Sequence, residues 1–209
     1  MRQHLVFLAL AFLCAFPSLT HACEGKQVLF EDNFTNPDPS WGPNNEVFQA
    51  GSGKGVLKAL ANSPAWKWNP AYVFETADIC AEAKLAQGQW TPDTSVGLMF
   101  WVVDNTAFYM FAVYGSGKAM AFRRVGGRWL PSLLTAKVDG LKLDGTDPIK
   151  LRVVLRGATA TFFVNGKQVG EIKGQPPAGG GNFGAYAQTE EPNKEALIDL
   201  TNFKVTSVP

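Results

Sequence analysis

Between Val96 and Leu134 the chain runs through four apolar stretches rich in Val, Phe, Tyr and Trp, separated by three short breaks, Asp104-Asn105-Thr106, Gly115-Ser116-Gly117 and Gly126-Gly127. Breaks of this length and composition are hairpin turns, so the stretch predicts an antiparallel meander of four strands. Val96 to Val103 is apolar on both faces, which predicts a central strand covered on both sides, or covered on one and lining a groove on the other. Shorter extended segments flank the meander. They are Gln27 to Glu31, Gly55 to Leu60, Ala71 to Phe74 and Asp78 to Ala86 before it, and Ile149 to Leu155, Thr159 to Val164, Lys167 to Ile172, Asn182 to Ala187 and Ala196 to Val205 after it.

Two of these segments are especially informative. Asp78 to Ala86 places Ile79, Ala81, Ala83 and Leu85 on one face and Asp78, Cys80, Glu82 and Lys84 on the other, the pattern of a strand wet on one side. Thr159 to Ile172 holds Asn165-Gly166, the preferred pair for a type I′ turn, which sets Val164 opposite Lys167 and Phe162 opposite Val169. The stretch from Thr35 to Asn45 is rich in Pro and Asn and reads as a loop carrying one tryptophan. No segment shows a helical stripe, so the fold class expected is all-β, a two-sheet antiparallel sandwich of jelly-roll type.

The first 22 residues change the picture of compartment. Arg2, an apolar run from Leu5 to Phe16 and the ending Thr20-His21-Ala22 read as a secretory signal peptide (1–22) cleaved after Ala22, leaving a single domain, 23–209, secreted or periplasmic. No later segment approaches the roughly 20 apolar residues a transmembrane helix needs. A cysteine directly after a signal also raises lipoprotein acylation at Cys23, against which stand the early position of Leu19 and the presence of His21. Cleavage removes Cys14 and leaves Cys23 and Cys80, for which a disulfide is expected in an oxidising compartment, two free thiols being the alternative.

The same cleavage removes both histidines, His4 and His21, and with them Ser-His-Asp and Cys-His catalysis. The chain carries 19 Lys and Arg against 18 Asp and Glu, and without Arg2 the two are equal, so no basic field draws nucleic acid. Oligomeric state is not legible.

The meander also yields a candidate site. A three-residue loop at Asp104 to Thr106 sets Trp101 opposite Tyr109, a Ser116-Gly117 turn sets Tyr109 opposite Arg124, and Gly126-Gly127 sets Arg124 opposite Trp129. Aromatic rings that stack on sugar faces, beside a guanidinium that donates to hydroxyls, make a carbohydrate platform. The same row reads equally as an internal cation–π ladder in the core. Trp66 and Trp68 share a side if extended, and suggest either glycan stacking or packing over the end of the sandwich.

With these residues in place, the chain resembles the concanavalin A-like lectin/glucanase superfamily, and within it small laminin-G-like and 3-keto-disaccharide-hydrolase-type domains. The resemblance rests on LFEDNF (Leu29 to Phe34), GLMFWVVDNTAFYMFAV (Gly97 to Val113), LRVVLRGATATFFVNGKQV (Leu151 to Val169), NFGAYA and LTNFKV. It implies a jelly roll that binds carbohydrate or a cell-envelope component. It also implies a calcium ion joining the first and last strands, for which Asp32 and Asp199 are the nominees, with no other cofactor. The Glu-x-Asp-x-x-Glu strand of the laminarinase-like branch is missing, so enzymatic activity is not expected. The alternatives are a glycoside hydrolase or 3-keto-disaccharide-cleaving enzyme using scattered acids such as Glu31, Glu75 or Glu82, and an envelope adaptor with an apolar interaction patch.

Overall fold

In the computed structural model, which describes residues 23–209, strands account for nearly all regular structure. In chain order they begin with β1 (Val28–Asp32), β2 (Phe48–Gly51), β3 (Lys54–Leu60), β4 (Ala65–Phe74) and β5 (Ala77–Gln87). The meander supplies β6 (Ser95–Asp104), β7 (Ala107–Tyr114), β8 (Lys118–Val125), β9 (Arg128–Trp129) and β10 (Leu134–Lys137). The chain closes with β11 (Ile149–Arg156), β12 (Thr159–Val164), β13 (Lys167–Lys173), β14 (Gly181–Gln188) and β15 (Glu195–Thr206). The signal peptide read at 1–22 lies outside the described residues.

These strands form two antiparallel sheets. One has the order β13-β12-β11-β5-β15-β3-β2, with β1 also on β15; the other has the order β10-β8-β7-β6-β14-β4, with β9 on β8. The order follows from the alternation in the sequence, because each strand carries one apolar face and the two sets of faces can be buried only against each other. Phe111 of β7 stacks on Phe162 of β12 across the gap at 4.5 Å, and Phe183 of β14 meets Phe30 of β1 at 5.0 Å and Phe203 of β15 at 5.5 Å. Each such buried ring contributes roughly 1.5–3 kcal/mol.

The Asn165-Gly166 turn forms as expected, with both residues at positive φ and Val164 opposite Lys167. A bulge then puts Phe162 opposite Gly170 in place of Val169. The missing side chain at Gly170 is where Leu134 of the other sheet packs, so the bulge helps close the sandwich along that side.

The outer face of β5 differs from the wet strand the sequence predicts. Asp78 and Cys80 are fully buried, because the segment leading into β1 lies over them. Cys23 is bonded to Cys80, with Cα atoms 5.6 Å apart and a sequence separation of 57. Replacing both cysteines by serine is expected to cost roughly 2–4 kcal/mol, the range for a native bridge closing a loop of this size. Urea unfolding with and without reductant measures it, and an unchanged midpoint would show that the bridge adds nothing.

The loop between β1 and β2 is also more than a connection. A single 3-10 turn, Pro39–Trp41, capped by the Asp38 side chain on the Ser40 N–H at 2.8 Å, inserts Trp41 into the end of the sandwich. No helix among the described residues is long and apolar enough to cross a membrane.

Candidate functional site

Among the described residues the inner faces account for one apolar cluster; a second lies on the outer face of the sheet that contains the meander. Strand register assembles it in rows. Trp68, Gly184, Met99, Met110 and Phe122 are successive partners across β4, β14, β6, β7 and β8, and Trp66, Tyr186, Gly97, Ala112 and Met120 form the next row. A third row joins Phe108, Arg124 and Trp129. Gly184, Gly97 and Ala112 project little or nothing and are buried beneath the larger side chains around them, which shape a trough on this face.

Trp129 forms one wall. Carried on the two-residue strand β9 after the Gly126-Gly127 turn, it stands edge-on to Phe108 at 5.4 Å, Tyr186 at 6.1 Å and Phe122 at 6.4 Å, yet stays 39% exposed. Trp66, on the edge strand β4, lies parallel to Tyr186 at 6.5 Å. Arg124 sits between these walls, with its guanidinium carbon 4.9 Å from the Trp66 ring and 5.4 Å from the Trp129 ring. Such pairing holds a cation on aromatic faces without a carboxylate partner.

Beyond Trp129 the trough opens into a pocket of about 300 Å³ lined by Tyr114, Met120, Tyr186, Gln188 and Asp93. Its polar groups are the hydroxyls of Tyr114 and Tyr186, the amide of Gln188 and the carboxyl of Asp93. The Tyr186 hydroxyl donates to Gln188 Oε1 at 2.7 Å. Burial pushes the Tyr114 hydroxyl up to about 12 and raises Tyr186 further still, against the opposing pull of Arg124. Asp93 is also raised, first by desolvation and then by a hydrogen bond and like charge from Glu190.

Of the six residues singled out in the sequence for ligand binding, four come together here: Trp66, Trp68, Arg124 and Trp129. Trp101 and Tyr109 do not join them; they lie between the sheets, 1% and 3% exposed. The cause is register. The loop after β7 holds three residues, Gly115 to Gly117, in place of two, which pairs Tyr109 with Arg123. The loop after β6 holds two residues in place of three, and an irregularity between Phe100 and Asp104, where Trp101 has φ 47°, pairs Tyr109 with Phe100. A shift of one residue exchanges the faces, so Phe108 takes the row position expected for Tyr109. Only the Gly126-Gly127 turn pairs as read, with Arg124 opposite Trp129.

The proposed calcium nominees are engaged with the protein itself. Asp32 accepts from the Phe34 N–H at 2.6 Å and from the Asp38 N–H and Trp41 indole at 2.9 Å, and Asp199 pairs with Lys54 at 2.8 Å. Neither belongs to a group of three acidic, Cys or His ligands among the described residues; the group that does form, Cys23, Asp78 and Cys80, contains the disulfide. Glu31 pairs with Lys204 and Glu82 accepts from Asn202, both on the other sheet, and Glu75 lies in the turn between β4 and β5.

Sequence reasoning missed Tyr186, Gln188 and Asp93. The first two were within reach, because NFGAYAQ alternates and places Gly184, Tyr186 and Gln188 on one face. Asp93 lies in a loop between strands, where alternation carries no information.

No protein-family model matches the chain, and no curated protein matches it in sequence. Solved structures do. A galectin-like-fold protein of unknown function from Bacillus subtilis aligns with a TM-score of 0.64 over 88% of this chain and 98% of its own, at 10% identity. The carbohydrate binding module CBM66 from Bacillus subtilis gives 0.62 over 78% and 92%, at 13% identity. Bacillus licheniformis beta-glucanase gives 0.60 over 85% and 97%, at 10% identity. Two antiparallel sheets in this order, matched by these structures over nearly their whole lengths, give the chain the concanavalin A-like jelly-roll fold.

Proposed function

We propose that the protein is a secreted or periplasmic carbohydrate-binding domain that catalyses no reaction, and that it holds its sugar in the aromatic trough on the outer face of the β4–β14–β6–β7–β8 sheet. The observation that carries this reading is the placement of Trp66 and Trp129 as accessible walls around Tyr186 and Arg124. Indole faces bind the C–H faces of a pyranose, while hydroxyls and amides such as Tyr186 and Gln188 meet its oxygens. Two of the structurally similar proteins, a carbohydrate binding module and a beta-glucanase, are named for carbohydrate, which agrees with this use of the fold.

The acids present support binding without hydrolysis. Asp93 is the one carboxylate lining the trough pocket, and its carboxyl neighbour Glu190 is in hydrogen-bonding contact with it. Glycoside hydrolysis by a carboxyl pair needs the two groups about 5 to 10 Å apart around the scissile bond. A groove lined on two sides also suits a sugar better than the flat apolar patch an envelope adaptor would present.

A glycan array probed with residues 23–209, with and without calcium and with products read by mass, tests the proposal. Saturable binding without product is expected, and Trp129→Ala and Trp66→Ala should each weaken it roughly tenfold or more, since a stacked aromatic contributes about 1–3 kcal/mol. Turnover, or binding untouched by either substitution in folded protein, would overturn it.

A further inference from the structure

Arg124 also lines a second cavity, about 310 Å³, where the β6–β7 and β8–β9 hairpins meet the segment after β13. Trp101, Phe108, Tyr109, Arg123, Arg124 and Gln175 line it. Arg124 and Phe108 also belong to the row that walls the trough, so the two spaces share a boundary.

The cavity holds donors in excess of acceptors. The Trp101 indole N–H and Arg124 Nε are both buried and have no hydrogen-bond partner among the described residues. Arg123 donates to Gln175 Oε1 at 2.7 Å and lies 5.1 Å over the Tyr109 ring, and no carboxylate among the described residues lines the space. The Tyr109 hydroxyl is already taken by the Gln175 backbone N–H at 2.8 Å. Asp104, at the tip of the β6–β7 hairpin, is turned onto the Thr106 N–H and hydroxyl at 2.7 Å each. An unmet buried donor costs about 1–3 kcal/mol, so two residues with unmet donors bordering one cavity, beside a second guanidinium, favour an oxygen-rich anion.

We propose that the glycan this protein binds is acidic, with a carboxylate or sulfate group seated in the cavity on Arg124, Arg123 and the Trp101 indole N–H while a neighbouring sugar ring lies against Trp129 and Trp66. The inference rests on the trough being a carbohydrate site. It gives the trough a direction: the anion binds at the arginine end, away from Asp93 and Glu190, whose charges would repel it.

Calorimetric titration with three probes of matched length tests it, using tri-galacturonate for the carboxylate, a sulfated chondroitin oligosaccharide for the sulfate, and laminaritriose as the neutral control. At least one acidic probe is expected to bind roughly tenfold or more tighter than laminaritriose, as a charge-assisted hydrogen bond warrants. The preference should shrink at high salt. Arg123 lies outside the trough, so Arg123→Gln should reduce the preference with little change toward laminaritriose, and Arg123→Lys should keep part of it because the charge remains without the planar fork. Arg124→Gln, which also touches the trough, should weaken every probe and the acidic ones most. The carboxylate and sulfate arms show which anion is preferred. Equal or tighter binding of laminaritriose would overturn the inference and leave the carbohydrate site standing, whereas no binding of any probe would count against both. If Arg123→Gln fails to fold, Arg123→Lys and the salt dependence of the wild-type protein decide the matter.

Discussion

Trp41→Ala is expected to destabilise the protein by about 4–5 kcal/mol, the upper end of the range for truncating a buried aromatic residue. The indole contacts five phenylalanines, Phe30, Phe34, Phe48, Phe183 and Phe203, with ring centres between 5.3 and 6.1 Å away. These rings come from both sheets and from the loop itself, so no single side chain can relax into the space left behind. Its N–H also donates to Asp32, which is 4% exposed, at 2.9 Å. Alanine therefore opens a cavity and removes a partner from a buried carboxylate. Trp41→Phe keeps much of the volume and loses mainly the hydrogen bond, so it should cost less than alanine, about 2–3 kcal/mol. Urea unfolding of the three proteins measures both, and an alanine variant within about 1 kcal/mol of wild type would show that the loop does not belong to the core.

Asp78→Ala is expected to cost about 4 kcal/mol through a different mechanism. Asp78 is 0% exposed and Arg152, across from Cys80 in the sheet, is 4% exposed; Arg152 Nε lies 2.8 Å from Asp78 Oδ1 and its Nη1 lies 2.7 Å from Glu24. Burial draws the Arg152 pKa down, but the contacts with Asp78 and Glu24 outweigh it and the group is held above its ordinary value. The second Asp78 oxygen accepts the Glu24 N–H at 2.9 Å, which ties the segment containing Cys23 to β5. Removing the carboxylate leaves a buried guanidinium facing only a mostly exposed glutamate, and breaking one side of a buried pair costs about 3–5 kcal/mol. Adding Arg152→Met to Asp78→Ala should restore part of the loss, because an apolar side chain needs no partner there. If the double variant is as unstable as the sum of the singles, the two residues are not coupled as described.

What the sequence reveals about this fold divides along physical lines. Where local chemistry decides the backbone, as at Asn165-Gly166 and Gly126-Gly127, the pairing is legible residue by residue. Where one residue more or less in a loop is tolerated, as around Asp104 and Gly115, the strands are legible and their register is not. The candidate site inherits that difference: Trp66, Trp68, Arg124 and Trp129 meet on one face, while Trp101 and Tyr109 turn inward. Coverage by distant segments is the second thing hidden from local pattern. Asp78 and Cys80 read as a wet face because nothing nearby shows that the chain around Cys23 lies over them, although the Cys23–Cys80 pairing follows from counting cysteines. The short strand β2 and the buried position of Trp41 escape notice for the same reason, since a loop rich in Pro and Asn gives no sign that its tryptophan fills the end of the core.

The central claim, that the outer face of the β4–β14–β6–β7–β8 sheet is the carbohydrate surface, is tested most directly by following the six tryptophan indole N–H signals by NMR during titration with a bound oligosaccharide. The trough predicts that Trp66 and Trp129 shift progressively and to saturation, while Trp41, sealed in the core, stays in place. Saturable binding that leaves Trp66 and Trp129 unmoved would place the sugar elsewhere on the molecule and contradict the account.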